Sequence, residues 1–203
     1  MRLSLIRTTL LVAAATVTTL SAAPISQQDR TTAIQDLERS RQLFLDAIAD
    51  VRTDAQWNYK PSADRWSVAE CAAHIIAAEE YFRQNIAGAL KTPALPAAQQ
   101  SSAGDAVIAK MVRDRSQRFT APAAIEPTGK ATPKPQAIAD FEATRKKTLD
   151  YIRTTQDPLR EHGVAQGPTV TTAYQLVLML SGHTERHTAQ LLEVKASAGY
   201  PKN

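Results

Sequence analysis

The chain has 203 residues, with 24 Lys or Arg against 20 Asp or Glu, and its formal net charge of +4 is too small to indicate a nucleic-acid-binding protein. Its single cysteine, Cys71, excludes an internal disulfide, so the fold must depend on packing. Aromatic residues make up only 5% of the chain, which favours helices over a β-sandwich. Once an N-terminal segment is set aside, the length fits one domain with a full hydrophobic core.

Residues 1–23 have the layout of a secretory signal peptide. Arg2 and Arg7 precede an apolar run that starts at Leu10, and the segment ends in small residues. The run is shorter than the roughly 20 residues that a membrane span prefers, so an uncleaved anchor is the less favoured alternative. We therefore predict a periplasmic or secreted protein whose mature domain covers 27–200 and contains no membrane span.

Four long segments have the apolar spacing of amphipathic helices, with apolar residues recurring at every third or fourth position. They cover about residues 28–51, 67–89, 135–155 and 172–198. No segment shows the alternation of a half-buried strand, so we predict an all-α protein.

The region between the second and third helices is richer in proline and less regular. A short helix is expected over about residues 105–119. The Pro-rich stretch 120–135 is long for a loop, which predicts either a lid over a site or a flexible excursion. In the connector after the first helix, Trp57, Tyr59 and Trp66 are expected to cover the end of the core.

Two helix starts fit the capping box, in which a hydroxyl caps the first turn and the residue three positions later returns a hydrogen bond. Ser67 with Glu70 forms such a pair at the second helix, and Thr172 with Gln175 at the last. Capping explains Glu70 better than a catalytic role one turn before His74.

Three of the four histidines lie on inward faces of two predicted helices. His183 and His187 are one turn apart in the apolar stripe of the last helix, and His74 lies on the apolar side of the second. Buried imidazoles need polar partners, so they either bind a metal ion or hydrogen-bond within the core. Gly182, in mid-helix, predicts a close approach by the helix that carries His74. His162 is expected to lie in an exposed loop.

Three neutral imidazoles would leave coordination positions open, as in a catalytic rather than a structural zinc site. Imidazole also suits nickel, iron and copper, so ligand type does not identify the metal. The zincin motif needs Glu directly after its first histidine, and the inverted motif needs it directly before the second, but Thr184 and Arg186 occupy these positions. No nucleophile turn accompanies Cys71, so peptidase and triad chemistry are disfavoured.

Three motifs resemble those of the DinB-like (DinB/YfiT) superfamily. They are WSVAECAAH at 66–74, FTAPAAIEPTG at 119–129 ahead of a helix with Arg145, and SGHTERHTAQLLEVKA at 181–196. The resemblance covers nearly the whole chain after the N-terminal segment, in the same order. It implies a four-helix bundle with a cavity at one end, here with an extra short helix and a Pro-rich loop between helices 2 and 3.

The resemblance also implies a metal site and a class of reaction. Its three ligands would be His74, His183 and His187, and the divalent metal is commonly nickel or zinc. Family members with assigned activities are mainly thiol-dependent S-transferases and isomerases that use glutathione, bacillithiol or mycothiol, and their bundles often pair as homodimers. The signal peptide departs from this pattern, because export would remove the protein from the cytoplasmic pool of these thiols.

Our hypothesis from the sequence is an exported, metal-dependent S-transferase-like enzyme that acts on a small molecule. Gln190, three residues after His187 on the same face, could orient a ligand from behind the metal site, and Glu79 is a weaker candidate that otherwise fits a solvated edge. Arg186 and Arg145 could hold a substrate carboxylate or form surface salt bridges. The alternatives are a non-enzymatic exported binding module with this fold, and core histidines that bind no metal.

Overall fold

The computed structural model describes residues 23–117, 119–127, 132–166 and 169–202. The α-helices in these residues are α1 (Gln27–Ala49), α2 (Asp54–Asn58), α3 (Val68–Ala89), α4 (Asp105–Arg113), α5 (Lys134–Thr154) and α6 (Ala173–Lys195). A β-hairpin of β1 (Gly163–Gln166) and β2 (Thr169–Thr172) precedes α6. Short 3-10 turns lie at Ala97–Gln99, Ser102–Gly104 and Ala123–Ile125. The predicted signal peptide lies outside the described residues, apart from Ala23.

The helices α1, α3, α5 and α6 form a four-helix bundle, so the predicted fold is confirmed. Each packs against two of the others, in the cyclic order α1, α6, α3, α5. The short α4 lies outside this ring, against α6, and ends at Arg113 rather than near residue 119. None of the described helices combines the length and the apolar character that a membrane-spanning helix needs.

Apolar side chains of the bundle form two buried clusters. One includes Tyr174, and the other contains Phe44, Phe141 and Trp57. The two phenylalanine rings meet edge to face, with centroids 4.6 Å apart. Trp57 is buried, and its Nε1 donates to the carbonyl oxygen of Thr132 at 2.8 Å. The connector after α1 therefore covers part of the core, as predicted for Trp57.

Two small elements differ from the expectation. The helix α2 begins with a capping box of Thr53 and Gln56, inside a connector that the sequence indicates as irregular. The strands β1 and β2 pair antiparallel, with Gly163 opposite Thr172, where no strand is predicted. Elements of four or five residues are too short for helical or strand periodicity to show in a sequence.

A buried ion pair joins the four long helices. Arg145 of α5 and Glu79 of α3 have fully buried side chains, with Nη2 of Arg145 2.5 Å from Oε1 of Glu79. Arg145 also donates to Ser40 of α1 at 2.8 Å and to Thr184 of α6 at 2.9 Å, and Thr148 donates to Glu79 at 2.9 Å. The expected surface salt bridge for Arg145 and the expected solvated edge for Glu79 are wrong, because charges can lie inside a protein where hydrogen bonds satisfy them.

Candidate metal centre

The helices α3 and α6 carry the three histidines that the sequence predicts as metal ligands. Capping boxes at Ser67 and Thr172 mark where these helices begin. Because α3 packs along α6, His74 of α3 meets His183 and His187 of α6. The structure thus brings together residues that are more than 100 positions apart in the chain.

The three imidazole rings approach one another through their Nε2 atoms. Nε2 of His74 lies 3.0 Å from Nε2 of His183 and 3.1 Å from Nε2 of His187. Trp66 packs on His74 and His187, with ring centroids 4.8 and 5.8 Å apart. Phe82 contacts His183 edge-on, at 5.7 Å between centroids. The cluster therefore has a polar centre with aromatic rings around it.

Hydrogen bonds at Nδ1 define the protonation of two of the rings. Nδ1 of His74 lies 2.7 Å from the carbonyl oxygen of Ile125. Because a carbonyl only accepts hydrogen bonds, this Nδ1 carries the proton, and Nε2 of His74 is a bare acceptor. Nδ1 of His187 lies 2.9 Å from Oε1 of Gln190, which assigns the same tautomer to His187.

These rings fit a divalent metal ion. Two bare nitrogens 3.1 Å apart cannot hydrogen-bond to each other, and a cation between them would remove the repulsion. Nδ1 of His183 is buried and has no hydrogen-bond partner among the described residues. Burial lowers the pKa of all three rings, and for His187 burial and the adjacent His74 together lower it to about 3. The rings are therefore neutral at neutral pH, which is the form that binds metals.

The histidines line a cavity of about 700 Å³, a size that suits a small molecule. Much of its wall is apolar, including Trp66, Tyr81, Phe82, Met111, Phe119 and Met179. Its charged lining includes Arg65, Arg115 and Arg186. A ligand in this cavity would contact an apolar wall and the three imidazoles together.

Arg186 is buried beside the cavity and does not form the expected surface salt bridge. In the described part of the chain its guanidinium donates to backbone carbonyl oxygens, those of Asp114 and Gln117 among them. It also lies over the ring of Phe119, 5.1 Å from the centroid. Arg186 therefore holds the segment that follows α4 beside the cavity. Its expected role toward a substrate carboxylate stays a prediction.

Gly182 marks a close helix contact, but with a different helix from the one expected. A Cβ atom at Gly182 would lie 3.2 Å from Cγ1 of Val112 on α4, so α4 rather than α3 makes the approach. His162 also differs from expectation, since it is half-buried, with Nδ1 2.8 Å from the carbonyl oxygen of Thr92. It is not among the described residues that line the cavity.

Two groups that contact the histidines were not predicted from the sequence. The carbonyl of Ile125 is a main-chain group, and main-chain groups leave no signature in residue type, although the 119–129 motif contains this residue. Trp66 is expected only to cover the core, yet it packs on His74 and His187. Its position as the first residue of the 66–74 motif, which ends at His74, was the signal in the sequence that could have indicated this contact.

Glu79 and Cys71 both lie on α3 with His74 but have other surroundings. Glu79 bonds to Arg145 and Thr148, so it supports the bundle. Cys71 is buried, and burial raises the pKa of its thiol to about 12. Since the thiolate is the reactive form, Cys71 is not a nucleophile at neutral pH.

A helical bundle with a three-histidine candidate metal centre beside a cavity is the class of protein that these observations define. The sequence profile of the DinB superfamily matches residues 36–191, and the chain belongs to this superfamily. No protein with a curated description matches the sequence.

Among solved structures, YfiT from Bacillus subtilis is similar to this chain, with a TM-score of 0.56 at 16% sequence identity. The match covers 87% of this chain and 91% of YfiT. YfiT is described as a probable metal-dependent hydrolase with an unusual four-helix bundle topology. At this level of identity the similarity shows a shared fold.

Proposed function

We propose that the protein is a metal-dependent enzyme that acts on a small molecule, with His74, His183 and His187 holding a divalent ion, nickel or zinc. The observation that carries the proposal is the approach of three Nε2 atoms, two of them bare acceptors, at the wall of a cavity of about 700 Å³. When bound, such an ion lowers the pKa of a water or thiol that it coordinates.

The residues around the histidines support this proposal in two ways. Some accept hydrogen bonds from the imidazole rings, and others would keep water away from them. The carbonyl oxygen of Ile125 and Oε1 of Gln190 accept hydrogen bonds from Nδ1–H of His74 and of His187, which leaves both Nε2 atoms free as ligands. Trp66 packs against both rings, tilted on His74 and stacked on His187, and would limit the access of bulk water. The apolar wall of the cavity would bind the body of a substrate beside the three imidazoles.

An S-transferase-like reaction, in which a substrate thiol attacks an electrophile, is the first candidate. A hydrolase-like reaction with water as the nucleophile is the second, and the similarity to YfiT favours it. Incubation with a thiol and 1-chloro-2,4-dinitrobenzene reports the transfer, and release of nitrophenol from a nitrophenyl ester reports hydrolysis. The enzyme proposal expects metal-dependent turnover in one assay and its loss in His187→Ala. Equal rates in His187→Ala and wild type would favour a binding module instead.

Metal content tests the site directly. Protein purified without an affinity tag and reconstituted with zinc or nickel should hold about one equivalent, and His183→Ala should hold far less. His162→Ala is the matched control, because His162 is a histidine that does not line the cavity. Less than about a tenth of an equivalent in reconstituted wild type would contradict the site.

We also propose that the protein is exported. The support is the sequence of residues 1–23, with basic residues ahead of an apolar run. Expression of the full chain in a Gram-negative host, followed by fractionation and N-terminal sequencing, should recover a periplasmic chain that begins near residue 24. A cytoplasmic chain that retains Arg2 and Arg7 would contradict export.

A further inference from the structure

The side-chain amide of Gln190 lies between two hydrogen-bond donors. Its Oε1 is 2.9 Å from Nδ1 of His187 and 3.3 Å from Nη1 of Arg115. A guanidinium has donors only, so the atom that faces Arg115 must be the oxygen of the amide. The same oxygen then accepts the hydrogen bond from Nδ1–H of His187.

Arg115 is held in place by a carboxylate on the same helix as Gln190. Its Nε lies 3.0 Å from Oε1 of Glu193, and its Nη2 lies 2.7 Å from Oε2, which is a bidentate pair. Gln190 and Glu193 are three residues apart on α6, so their side chains lie on one face of the helix. Arg115 follows α4, and this pair places its third nitrogen, Nη1, against Oε1 of Gln190.

Reversal of the Gln190 amide would disturb His187. The NH2 group would then face two donors, the guanidinium of Arg115 and Nδ1–H of His187. His187 could form a hydrogen bond again only by moving its proton to Nε2, the nitrogen 3.1 Å from Nε2 of His74. A protonated Nε2 cannot bind a metal ion.

We propose that Arg115, held by Glu193, is a positioning residue that selects the orientation of the Gln190 amide and so keeps Nε2 of His187 free to bind a metal. This inference deepens the proposed metal-binding function. Its consequence for metal affinity rests on that function. The expected effect of removing Arg115 on metal affinity is opposite in sign to the effect of removing its charge alone. Removal of a cationic side chain would by repulsion alone strengthen metal binding, whereas loss of the amide orientation weakens it.

The test compares Arg115→Met with Arg113→Met. Arg113 also forms a bidentate pair between the end of α4 and α6, with Glu185 at 2.8 and 3.0 Å, but it is not among the described residues that line the cavity. Long-range ¹H–¹⁵N spectra of the metal-free protein report the His187 tautomer. We expect Arg115→Met to show the Nε2–H tautomer and to bind zinc about tenfold more weakly, and Arg113→Met to resemble wild type in both.

The variant Gln190→Glu distinguishes loss of the amide orientation from a general disturbance of the structure around His187. In Gln190→Glu either carboxylate oxygen can accept the hydrogen bond from Nδ1–H of His187, so Arg115 has no orientation left to select. We therefore expect Arg115→Met to shift the tautomer in the wild-type background and to leave it unchanged in the Gln190→Glu background. If Arg115→Met does not fold, Glu193→Gln, which loosens Arg115 without removing it, should show the same shift in smaller amount.

Failure of the role of Arg115 and failure of the proposed metal site would give different results. An unchanged His187 tautomer in Arg115→Met, or equal changes in Arg113→Met, would overturn the role of Arg115 even if wild type binds zinc. A wild type that binds no zinc would overturn the proposed function, while the tautomer, measured without metal, would still decide whether Arg115 orients Gln190.

Discussion

At the scale of single residues, the three histidines differ in what lies behind them. His74 bonds to a main-chain carbonyl and His187 to a side-chain amide, so each has a defined tautomer. His183 has a buried Nδ1 without a partner among the described residues. Its ring orientation therefore depends on packing, with Phe82 against it, and on contact with the other two rings. Of the three candidate ligands, His183 is the one whose position a bound ion would define most.

Trp66 provides a spectroscopic report on this cluster. Because its ring centroid lies 4.8 Å from that of His74, nickel bound by the histidines should quench its fluorescence strongly. The other tryptophan, Trp57, packs in the cluster of Phe44 and Phe141. We expect a nickel titration to quench the tryptophan fluorescence of Trp57→Phe, in which Trp66 remains. The fluorescence of Trp66→Phe should change little.

Metal analysis of both tryptophan variants supplies the control, since each should still bind nickel. Strong quenching in Trp66→Phe that is absent from Trp57→Phe would place the ion elsewhere in the protein.

At the scale of helices, the pair of Arg145 and Glu79 connects the helices that carry the three histidines. Glu79 is on α3 with His74, and Arg145 donates to Thr184, the neighbour of His183 on α6. Each charge is fully buried, so each depends on the other for its stability. The pair therefore maintains the packing of α3 against α6 at the level of the histidines.

Removal of one partner should be costly. We expect Glu79→Met to lower the free energy of unfolding by about 3–5 kcal/mol, because it leaves the guanidinium of Arg145 buried and unpaired. The double variant Glu79→Met/Arg145→Met should recover most of this loss, because no buried charge remains. Urea unfolding followed by circular dichroism measures both.

Arg41→Met is the matched control for this prediction. It breaks the pair of Arg41 with Glu142 between α1 and α5, whose side chains are about one-third exposed. That loss should be at most about 1 kcal/mol. A Glu79→Met variant no less stable than Arg41→Met would contradict the role of the buried pair.

Two helical glycines test the contact between α4 and α6. A Cβ at Gly88 of α3 would meet no atom within 4 Å, whereas one at Gly182 would lie 3.2 Å from Val112. Alanine is favoured over glycine in a helix by up to about 1 kcal/mol. We expect Gly88→Ala to stabilise the protein by an amount in that range, and Gly182→Ala to gain less or to destabilise it, as measured by thermal unfolding. An equal gain at both positions would show that α4 moves away at little cost.

At the scale of the whole molecule, the bundle has a complete core without a disulfide. The four long helices bury two apolar clusters, and the histidines line the cavity. The fold should therefore form without metal, and a bound ion should add to its stability by mass action.

Addition of zinc or nickel should raise the melting temperature. At about 100 times the dissociation constant, binding contributes about 2.7 kcal/mol. For a domain of this size that corresponds to an increase of about 5–10 °C. Thermal melts with and without metal measure it, and His183→Ala should lose the increase. Magnesium, which prefers oxygen ligands, is the control ion and should have little effect.

The sequence predicted the main elements because their signals are local. Helical periodicity defines the four long helices to within about three residues of those observed, and the Ser67 and Thr172 capping boxes mark two of their starts. The DinB resemblance added the bundle and the set of His74, His183 and His187. The strands β1 and β2 were not predicted, because each has only four residues.

The sequence by itself therefore determined the extents of the four long helices and the inward faces that carry the three histidines, since these depend on spacing along one segment. It did not show that Glu79 and Arg145 are buried. Only the tertiary structure decided which inward groups meet. It placed Arg145 against Glu79, the carbonyl of Ile125 behind His74, and Arg115 against Gln190. These contacts join distant segments through hydrogen bonds, and the chemistry of a hydrogen bond is shared by many residue types. A pattern along one helix therefore does not identify the hydrogen-bond partner on another segment, whereas the packed bundle does.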